Sequence, residues 1–380
     1  MKHVTYLSIA AFLLSFSLSV QAQCFGKQTQ FVRRAWPWQM AAADLNHDGI
    51  PDLATVTLNS ENPSYRGILS IYLGDGKGTF QRPRLHNYEA FGAVGLAVGD
   101  FDNDGNLDVI DVNMDLNGGP EGVGVFLGNG DGTFTRHTHH EARYHLDHVA
   151  VGDFNADGNL DAVVSSRCTG YVALFLGNGD GTLTGPVPIP TDIVSWPWMV
   201  LAADFDGDGI PDLALVPATV PTNVIEVRIA NGDGTFHLGR VYRTNTPGST
   251  VIVKGDFNED GVIDLAVNAS SRPSGVVVFL GNGDGSFQPA VKYPSRRPYD
   301  LLTADFNGDG HLDFVTMRSG GWSMLLGNGD GTFQAAVDHA NLTKDEWTMV
   351  APDLNGDGLP DLVISDSYNL AVFPNLGNCP

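Results

Sequence analysis

An acidic nonapeptide with carboxylates at alternate positions is the part of this sequence best suited to chemistry. In the copy DFNGDGHLD, Asp305, Asp309 and Asp313 stand at positions 1, 5 and 9, and Asn307 stands at position 3. Carboxylates this close repel one another, so the arrangement lowers stability unless a cation lies between them. Their oxygens and the backbone carbonyl at position 7 form an oxygen-only ligand set that suits Ca²⁺, and Gly310 permits the sharp turn around the ion.

The nonapeptide occurs seven times, at spacings of 48 to 56 residues. Every copy has Asp at positions 1, 5 and 9, Asn or Asp at position 3, and Gly at position 6. We therefore expect up to seven structural Ca²⁺ ions. The expected ligands, from positions 1, 3, 5, 7 and 9, are Asp44, Asn46, Asp48, Ile50, Asp52, Asp100, Asp102, Asp104, Asn106, Asp108, Asp153, Asn155, Asp157, Asn159, Asp161, Asp204, Asp206, Asp208, Ile210, Asp212, Asp256, Asn258, Asp260, Val262, Asp264, Asp305, Asn307, Asp309, His311, Asp313, Asp353, Asn355, Asp357, Leu359 and Asp361. Plain Asp-Gly turns are the alternative, although a turn alone does not require a carboxylate at position 9.

Each copy of the nonapeptide belongs to a unit with four extended segments, which we call strands A to D. Strand A leads into the acidic loop, and an apolar run such as DLALV follows it as strand B. A second apolar run such as GVVVFLG forms strand C, and in six units it ends in a Gly-Asp turn such as NGDGTF before strand D. Seven such units predict an all-β fold, a seven-bladed β-propeller of four-stranded blades. The last unit stops at its third strand, so we expect the N-terminal segment FGKQTQFVRRA to complete it and close the ring.

The acidic loops and the LGNGDGTF hairpins together resemble the FG-GAP repeat family, also called VCBS-type repeats, which includes the N-terminal propeller of integrin α subunits. The resemblance covers essentially all of residues 24–380. It implies a propeller whose loops bind Ca²⁺ through the five positions given above. Integrins have the loop in only some blades, whereas all seven units have it here. Because the fold is shared by adhesion receptors, lectins and lyase scaffolds, the resemblance leaves the function open.

The strand order also predicts which loops share a face. The A–B acidic loops and C–D hairpins should lie on one face, and the B–C loops and D–A connections on the other, the variable face. One register of the variable face lies six residues before each acidic loop and contains Trp38, Val94, Asp147, Trp198, Thr250, Tyr299 and Trp347. Its four aromatic residues, Trp38, Trp198, Tyr299 and Trp347, could bind sugars or peptide side chains. Packing between blades is the alternative interpretation.

The segment TRHTHHEARYHLDH is a second candidate site, and it contains five of the eleven histidines: His137, His139, His140, His145 and His148. His137 and His139 could face one way on a strand and bind a transition metal, but no other unit repeats this feature. A solvated connection is the alternative. Arg143, Tyr144, His145, Asp147 and His148 could also supply the acid and base of a polysaccharide lyase. The sequence has no nucleophile elbow, HExxH or Walker motif, so an enzyme is the less favoured interpretation.

The N-terminal 22 residues indicate export. They have a positive start, an apolar run and a small-residue ending, which is typical of a signal peptide, and residues 23–380 would form the mature propeller. No later apolar run reaches the ~18 residues of a membrane helix. In an oxidising compartment Cys24 and Cys379 could form a disulfide if the chain ends meet, with free or intermolecular thiols as the alternative. We expect Cys168 to stay unpaired.

The charge of the chain limits its partners. Acidic residues outnumber basic residues 44 to 21, and the formal net charge is −23. This excess argues against nucleic acid and anionic membranes as ligands. We therefore expect a secreted, extracellular or periplasmic, monomeric module that binds a glycan or an extracellular protein. The alternatives are a lyase on the variable face and a purely structural part of a surface assembly.

Overall fold

The computed structural model describes residues 23–32, 36–58, 66–91, 93–113, 121–142, 145–166, 168–191, 196–217, 224–244, 248–340, 346–366 and 369–378. Within these ranges all the regular elements are β-strands. No helix in the described residues is long and apolar enough to cross a membrane.

In these ranges, 28 of the strands form seven antiparallel sheets of four strands, which are the blades. Blade 1 consists of β3 (Trp36–Ala43), β4 (Asp52–Leu58), β5 (Arg66–Tyr72) and β6 (Arg84–Phe91). Blade 2 consists of β7 (Ala93–Gly99), β8 (Asp108–Asn113), β9 (Gly122–Gly128) and β10 (Phe134–Glu141). Blade 3 consists of β11 (His148–Gly152), β12 (Asp161–Ser166), β13 (Tyr171–Gly177) and β14 (Leu183–Pro188). Blade 4 consists of β15 (Pro197–Ala203), β16 (Asp212–Pro217), β17 (Val224–Ala230) and β18 (Phe236–Arg243). Blade 5 consists of β19 (Ile252–Gly255), β20 (Asp264–Ala269), β21 (Gly275–Phe279) and β22 (Val291–Pro294). Blade 6 consists of β23 (Asp300–Ala304), β24 (Asp313–Arg318), β25 (Gly321–Leu325) and β26 (Val337–Ala340).

Blade 7 takes its outer strand from the N-terminal part of the chain. Its sheet contains β27 (Glu346–Val350), β28 (Leu362–Asp366), β29 (Asn369–Phe373) and β2 (Thr29–Val32). A separate two-stranded sheet pairs β1 (Gln23–Phe25) with β30 (Asn375–Asn378). The inner strand β3 contacts both β7 and β27, so the first blade packs between the second and the seventh. The predicted seven-bladed propeller of four-stranded blades is confirmed, and the pairing of β2 with β29 is consistent with the expected closure.

The second strand of each blade lies in the core, as its continuous apolar sequence predicts. Every residue of β8, β12, β16 and β20 is buried. The aromatic residue at position 2 of an acidic loop then packs on the hairpin of the next blade. Phe205 meets Phe287 edge to face with ring centroids 5.4 Å apart, and Phe154 meets Phe236 at 5.6 Å. The core therefore runs between blades, and each loop is held by the blade that follows it.

Candidate functional site

Each acidic loop is closed by hydrogen bonds from its own backbone to its side-chain oxygens. In the sixth loop, the Gly310 N–H donates to Asp305 Oδ2 at 2.8 Å. The Asp309 N–H donates to Asn307 Oδ1 at 2.9 Å, and the His311 N–H donates to Asp309 Oδ1 at 2.9 Å. The same three bonds recur in the other six loops. The backbone thus turns around positions 1, 3 and 5 and fixes their orientation.

The predicted ligand oxygens converge in the two loops that have four carboxylates. Oxygens of Asp100, Asp102 and Asp108 lie within 4.8 Å of one another, as do those of Asp204, Asp206 and Asp208. These are the two loops with Asp rather than Asn at position 3. Burial, and next the neighbouring Asp104 carboxylate, raise the pKa of Asp102 above its ordinary value. Hard oxygen donors in this arrangement fit Ca²⁺, which would relieve the repulsion between them.

The carboxylate at position 9 has a structural role that the sequence did not reveal. Asp212 is fully buried, and its Oδ2 accepts the Phe205 N–H at 2.9 Å while its Oδ1 accepts the Ala230 N–H at 2.8 Å. All seven position-9 residues make the same pair of bonds. One oxygen accepts from position 2 of the loop, and the other accepts from the residue that ends strand C or lies two residues beyond its end. Burial raises the pKa of Asp212 to about 6 and that of Asp313 to about 7. Position 9 therefore connects the acidic loop to the end of strand C.

Backbone hydrogen bonds also connect each acidic loop to the next blade. The Gly285 N–H in the hairpin of blade 5 donates to the Phe205 carbonyl of blade 4 at 2.9 Å. Five other hairpin glycines make the equivalent bond: Gly78, Gly132, Gly181, Gly234 and Gly331. Blade 7 has no such hairpin, and there the Asn375 side-chain Nδ2 donates to the Phe306 carbonyl at 2.8 Å. A side-chain amide thus replaces the missing hairpin.

Side chains at positions 4 and 7 form a further link between neighbouring loops that sequence reasoning missed. His47 Nε2 lies 3.1 Å from Asn106 Oδ1, and Asn103 Nδ2 donates to Asn159 Oδ1 at 2.9 Å. His311 pairs in the same way with Glu259 of the preceding loop. Position 4 has a left-handed backbone, with φ of 59° at His47 and at Asn103. The sequence signal is that a polar residue at position 4 accompanies a polar residue at position 7 of the next copy.

On the variable face, the predicted register lines one cavity of about 240 Å³ near the centre of the ring. Six of its seven members contribute directly: Trp38, Val94, Asp147, Trp198, Thr250 and Tyr299. Thr348 lines the cavity from blade 7, and the Trp347 side chain lies outside the described residues. The structure therefore brings Trp38, Trp198 and Tyr299 together at what we call the channel mouth. Their role in ligand binding stays a prediction.

The polar residues of the channel mouth lie mainly one position after the aromatic register. Asp300 Oδ1 accepts the Leu301 N–H at 2.8 Å and Oδ2 accepts the Met349 N–H at 3.2 Å, and burial raises the pKa of Asp300 to about 7. His148 Nε2 lies 3.3 Å from Gln39 Nε2, and burial lowers the pKa of His148 to about 4. Sequence reasoning missed Gln39 and Asp300, although their fixed offset from the register could have identified them.

The histidine-rich segment does not form a cluster in the described residues. A register shift between Arg136 and Thr138 interrupts the alternation that would align His137 with His139, and the His137 side chain lies outside the described residues. His140 Nε2 accepts the Leu183 N–H at 3.2 Å, and His145 Nδ1 lies 3.0 Å from Glu121 Oε1. These histidines thus make separate structural contacts. Of the lyase candidates, Asp147 and His148 line the channel mouth, while Arg143 and Tyr144 lie outside the described residues.

The cysteines are only partly described. Cys168 is exposed and free. Gln23 of β1 pairs with Asn378 of β30, so the residues that precede Cys24 and Cys379 lie side by side. The Cys24 side chain and Cys379 are outside the described residues, and their disulfide stays a prediction, as does the signal peptide at residues 1–22.

Comparisons with known proteins identify both the repeat and the fold. The model of the FG-GAP-like repeat matches residues 56–110, 153–215, 256–316 and 305–364. No curated protein sequence matches the chain. Among solved structures, a lectin of Agrocybe aegerita is similar in fold, with a TM-score of 0.58 and 19% sequence identity over 91% of this chain and 87% of the lectin. That lectin is described as specifically recognising non-reducing terminal N-acetylglucosamine. BBS1N in complex with ARL6DN is 13% identical with a TM-score of 0.61, over 94% of this chain and 98% of the other. At these identities the likeness is one of fold.

Proposed function

The chain belongs to the FG-GAP-like repeat family, and from that premise we propose that it is an exported, calcium-stabilised propeller that binds a glycan at its channel mouth. The observation that carries the proposal is the convergence of Trp38, Trp198 and Tyr299 on one cavity with Asp147 and Asp300. Aromatic faces pack against the apolar faces of sugar rings, and carboxylates accept hydrogen bonds from hydroxyl groups. The two groups together suit a ligand that is apolar on one side and rich in hydroxyls on the other.

The size of the channel mouth favours a sugar unit over a folded protein surface. Its volume of about 240 Å³ is small beside the ~300–1,000 Å³ of sites that enclose a drug-sized ligand. A single terminal sugar would therefore enter while the rest of the glycan stays on the variable face. The Agrocybe aegerita lectin supports this proposal as a protein of similar fold that recognises a terminal sugar. The BBS1N complex with ARL6DN is the corresponding precedent for a protein ligand.

Calcium has a structural role in this proposal. The acidic loops lie on the face opposite the channel mouth, at the other ends of the inner strands. The ligands would be the side chains of positions 1, 3, 5 and 9 and the carbonyl of position 7. When bound, the ions would neutralise the carboxylates and stabilise the face that carries the acidic loops, which we call the loop face. The sugar would contact none of these ions.

A lyase reaction at the channel mouth is less well supported by its titratable groups. A general base works best when its pKa is near the working pH. Burial lowers the pKa of His148 to about 4, which makes it a weak base. Asp300 has a pKa raised by burial to about 7, but both of its oxygens already accept backbone N–H groups. The cavity thus contains groups that can hold a sugar, and neither His148 nor Asp300 is well placed to act as a free base.

The experiment is a glycan array with the mature chain, followed by calorimetry on the best ligand with three variants. We expect Trp38→Ala and Trp198→Ala each to weaken binding by about 2 kcal/mol, or roughly thirtyfold, as for central aromatic contacts. Trp196→Ala is the matched control, because Trp196 is 50% exposed on the same face and does not line the cavity.

Thermal unfolding in calcium must stay the same for all three variants. If no glycan binds, or if the Trp198 variant binds like the wild type, the proposed site is wrong. An unsaturated sugar product from an acidic polysaccharide would instead establish a lyase.

A further inference from the structure

Four arginines from three separate segments line one groove on the variable face. The groove has a volume of about 390 Å³ and is lined by Arg272, Ser274, Arg296, Arg297, Arg318 and Ser319. Arg272 lies between β20 and β21, Arg296 and Arg297 lie between β22 and β23, and Arg318 ends β24. These are the B–C loops and the D–A connection of blades 5 and 6. The groove is therefore on the face opposite the acidic loops.

Positive charge is in excess in this groove. Asp338 is the carboxylate that pairs with its arginines, with 3.0 Å between Arg296 Nη1 and Asp338 Oδ2 and 3.6 Å between Arg318 Nε and Asp338 Oδ1. No ion pair of Arg272 or Arg297 is found among the described residues. Among the described residues, one carboxylate beside four guanidinium groups leaves three positive charges uncompensated. This excess occurs in a chain whose acidic residues outnumber its basic residues 44 to 21.

In the part of the chain that the structure describes, Arg318 lacks good acceptors for its hydrogen-bond donors. Its Nε is buried and has no hydrogen-bond acceptor among the described residues. Its two terminal nitrogens lie 3.5 Å from the Ser319 carbonyl and 3.4 Å from the His339 carbonyl, which is the far limit of a hydrogen bond. Asp338 Oδ1 is already engaged by the Ser323 hydroxyl at 2.7 Å. Because a guanidinium group presents donors in a planar fork, a bound carboxylate or sulfate would supply the missing acceptors.

The backbone is constrained at Arg297, and a hydrogen bond holds the loop that contains Arg272. Arg297 has a φ of 39°, in the left-handed region that non-glycine residues seldom adopt. Such strain is most often kept at binding sites. Beside Arg272, the Pro273 carbonyl accepts a hydrogen bond from the Lys292 ammonium group, which adds a further positive charge near the groove. The loops are thus fixed in a way that leaves Arg272 and Arg297 exposed to a ligand.

One short segment of the chain leads from the groove to the channel mouth. Arg297 lines the groove, and Tyr299 and Asp300 line the channel mouth. Two residues of extended chain span at most ~7 Å. We propose that the groove binds the sulfate or carboxylate groups of an acidic glycan, one unit of which occupies the channel mouth. This inference rests on the proposed function and names the class of glycan.

The test measures binding of four probes in calcium-containing buffer: a dextran sulfate oligosaccharide, an oligogalacturonate, neutral dextran of the same length, and polyglutamate. We expect Arg272→Gln and Arg297→Gln each to lower the affinity for the acidic glycan about tenfold, as for hydrogen bonds to charged groups. Arg240→Gln is the matched control, because Arg240 is exposed on β18, outside the groove, and the charge change is the same. The preferred acidic probe distinguishes sulfate from carboxylate as the natural group.

The outcomes separate the two proposals. If neutral dextran binds as tightly as the acidic probes and the arginine variants are unaffected while Trp198→Ala is impaired, the groove inference is overturned and the channel site stands. If polyglutamate binds like the acidic glycans, the groove recognises charge without sugar, and the glycan assignment is overturned. If the arginine variants bind the acidic probes more weakly but Trp198→Ala binds them like the wild type, the proposed site at the channel mouth is wrong and the site in the groove is supported. If the wild type binds none of the probes, both proposals are wrong.

Discussion

The two backbone hydrogen bonds that each buried position-9 carboxylate accepts can be tested separately from calcium binding. Asp264 is fully buried, and its two oxygens accept the Phe257 N–H at 2.8 Å and the Gly281 N–H at 2.7 Å. Hydrogen bonds to a charged group contribute about 1.5–3 kcal/mol each. We therefore expect Asp264→Ala to lower the free energy of unfolding by about 3–6 kcal/mol, a large share of the ~5–15 kcal/mol of an ordinary domain. Asp264→Asn keeps one oxygen and should lose roughly half as much.

The assay is urea unfolding followed by tryptophan fluorescence and circular dichroism, with excess EDTA and then with calcium. Asp260→Asn is the control, because Asp260 is exposed at position 5 of the same loop and accepts only local N–H groups. In EDTA, Asp260→Asn should lower the free energy of unfolding by under about 1 kcal/mol. In calcium, it should remove as much of the calcium-dependent stabilisation as the Asp264 variants do. Wild-type stability of Asp264→Asn and Asp264→Ala in EDTA would show that these two hydrogen bonds contribute nothing and that the reasoning is wrong.

Three further predictions concern the same face. Removing calcium with EDTA should lower the melting temperature, since an ion at 100 times its dissociation constant stabilises the folded state by about 2.7 kcal/mol per site, and an unchanged transition would refute metal binding. Burial raises the pKa of Asp264 from 3.8 to about 6, so the metal-free fold favours the protonated carboxyl group. This protonation part of the stability, separate from the two hydrogen bonds, is present at low pH and is lost as the pH rises through about 6. The urea midpoint in EDTA should therefore fall from pH 5 to pH 7.5 while the increment due to calcium grows, and a calcium increment independent of pH would contradict this. Asn375→Ala removes the donor to the Phe306 carbonyl and should lower the free energy of unfolding by about 1–3 kcal/mol. Amide hydrogen exchange should then increase first in blades 6 and 7. Uniform exchange around the ring would show that Asn375 does not hold the seventh blade in place.

The parts of the structure that repeat were predictable from the sequence. The spacing of the acidic loops gives the number of blades, and the continuous apolar runs give the buried second strands. A fixed offset from each loop was enough to bring Trp38, Trp198 and Tyr299 to one cavity, because every inner strand enters the ring in the same register. The offset of one further residue would have added Asp300. Periodicity predicts a position relative to the ring axis even when the residues themselves differ.

The contacts between units were not predictable in the same way. The groove arginines come from positions 272, 297 and 318 in non-equivalent loops, and no period relates them. The pairing of His47 with Asn106 needs the distance between two loops of different blades, which a single copy does not contain. The second role of position 9 was hidden because a metal ligand and a buried backbone acceptor both require the same carboxylate.

The difference between the two faces follows from where the hydrogen bonds of the ring lie. On the loop face, the Phe205 N–H donates to Asp212 of its own blade and the Phe205 carbonyl accepts from Gly285 of the next blade, so one residue joins two blades through its backbone. Six equivalent residues do the same around the ring, with Asn375 as the donor at blade 7. A substitution in one acidic loop therefore weakens two blades. The variable face has no such repeated link among its described residues, so its loops can differ in sequence without opening the ring. That freedom is the physical reason to look for ligand specificity at the channel mouth and the arginine groove and to look for stability at the acidic loops.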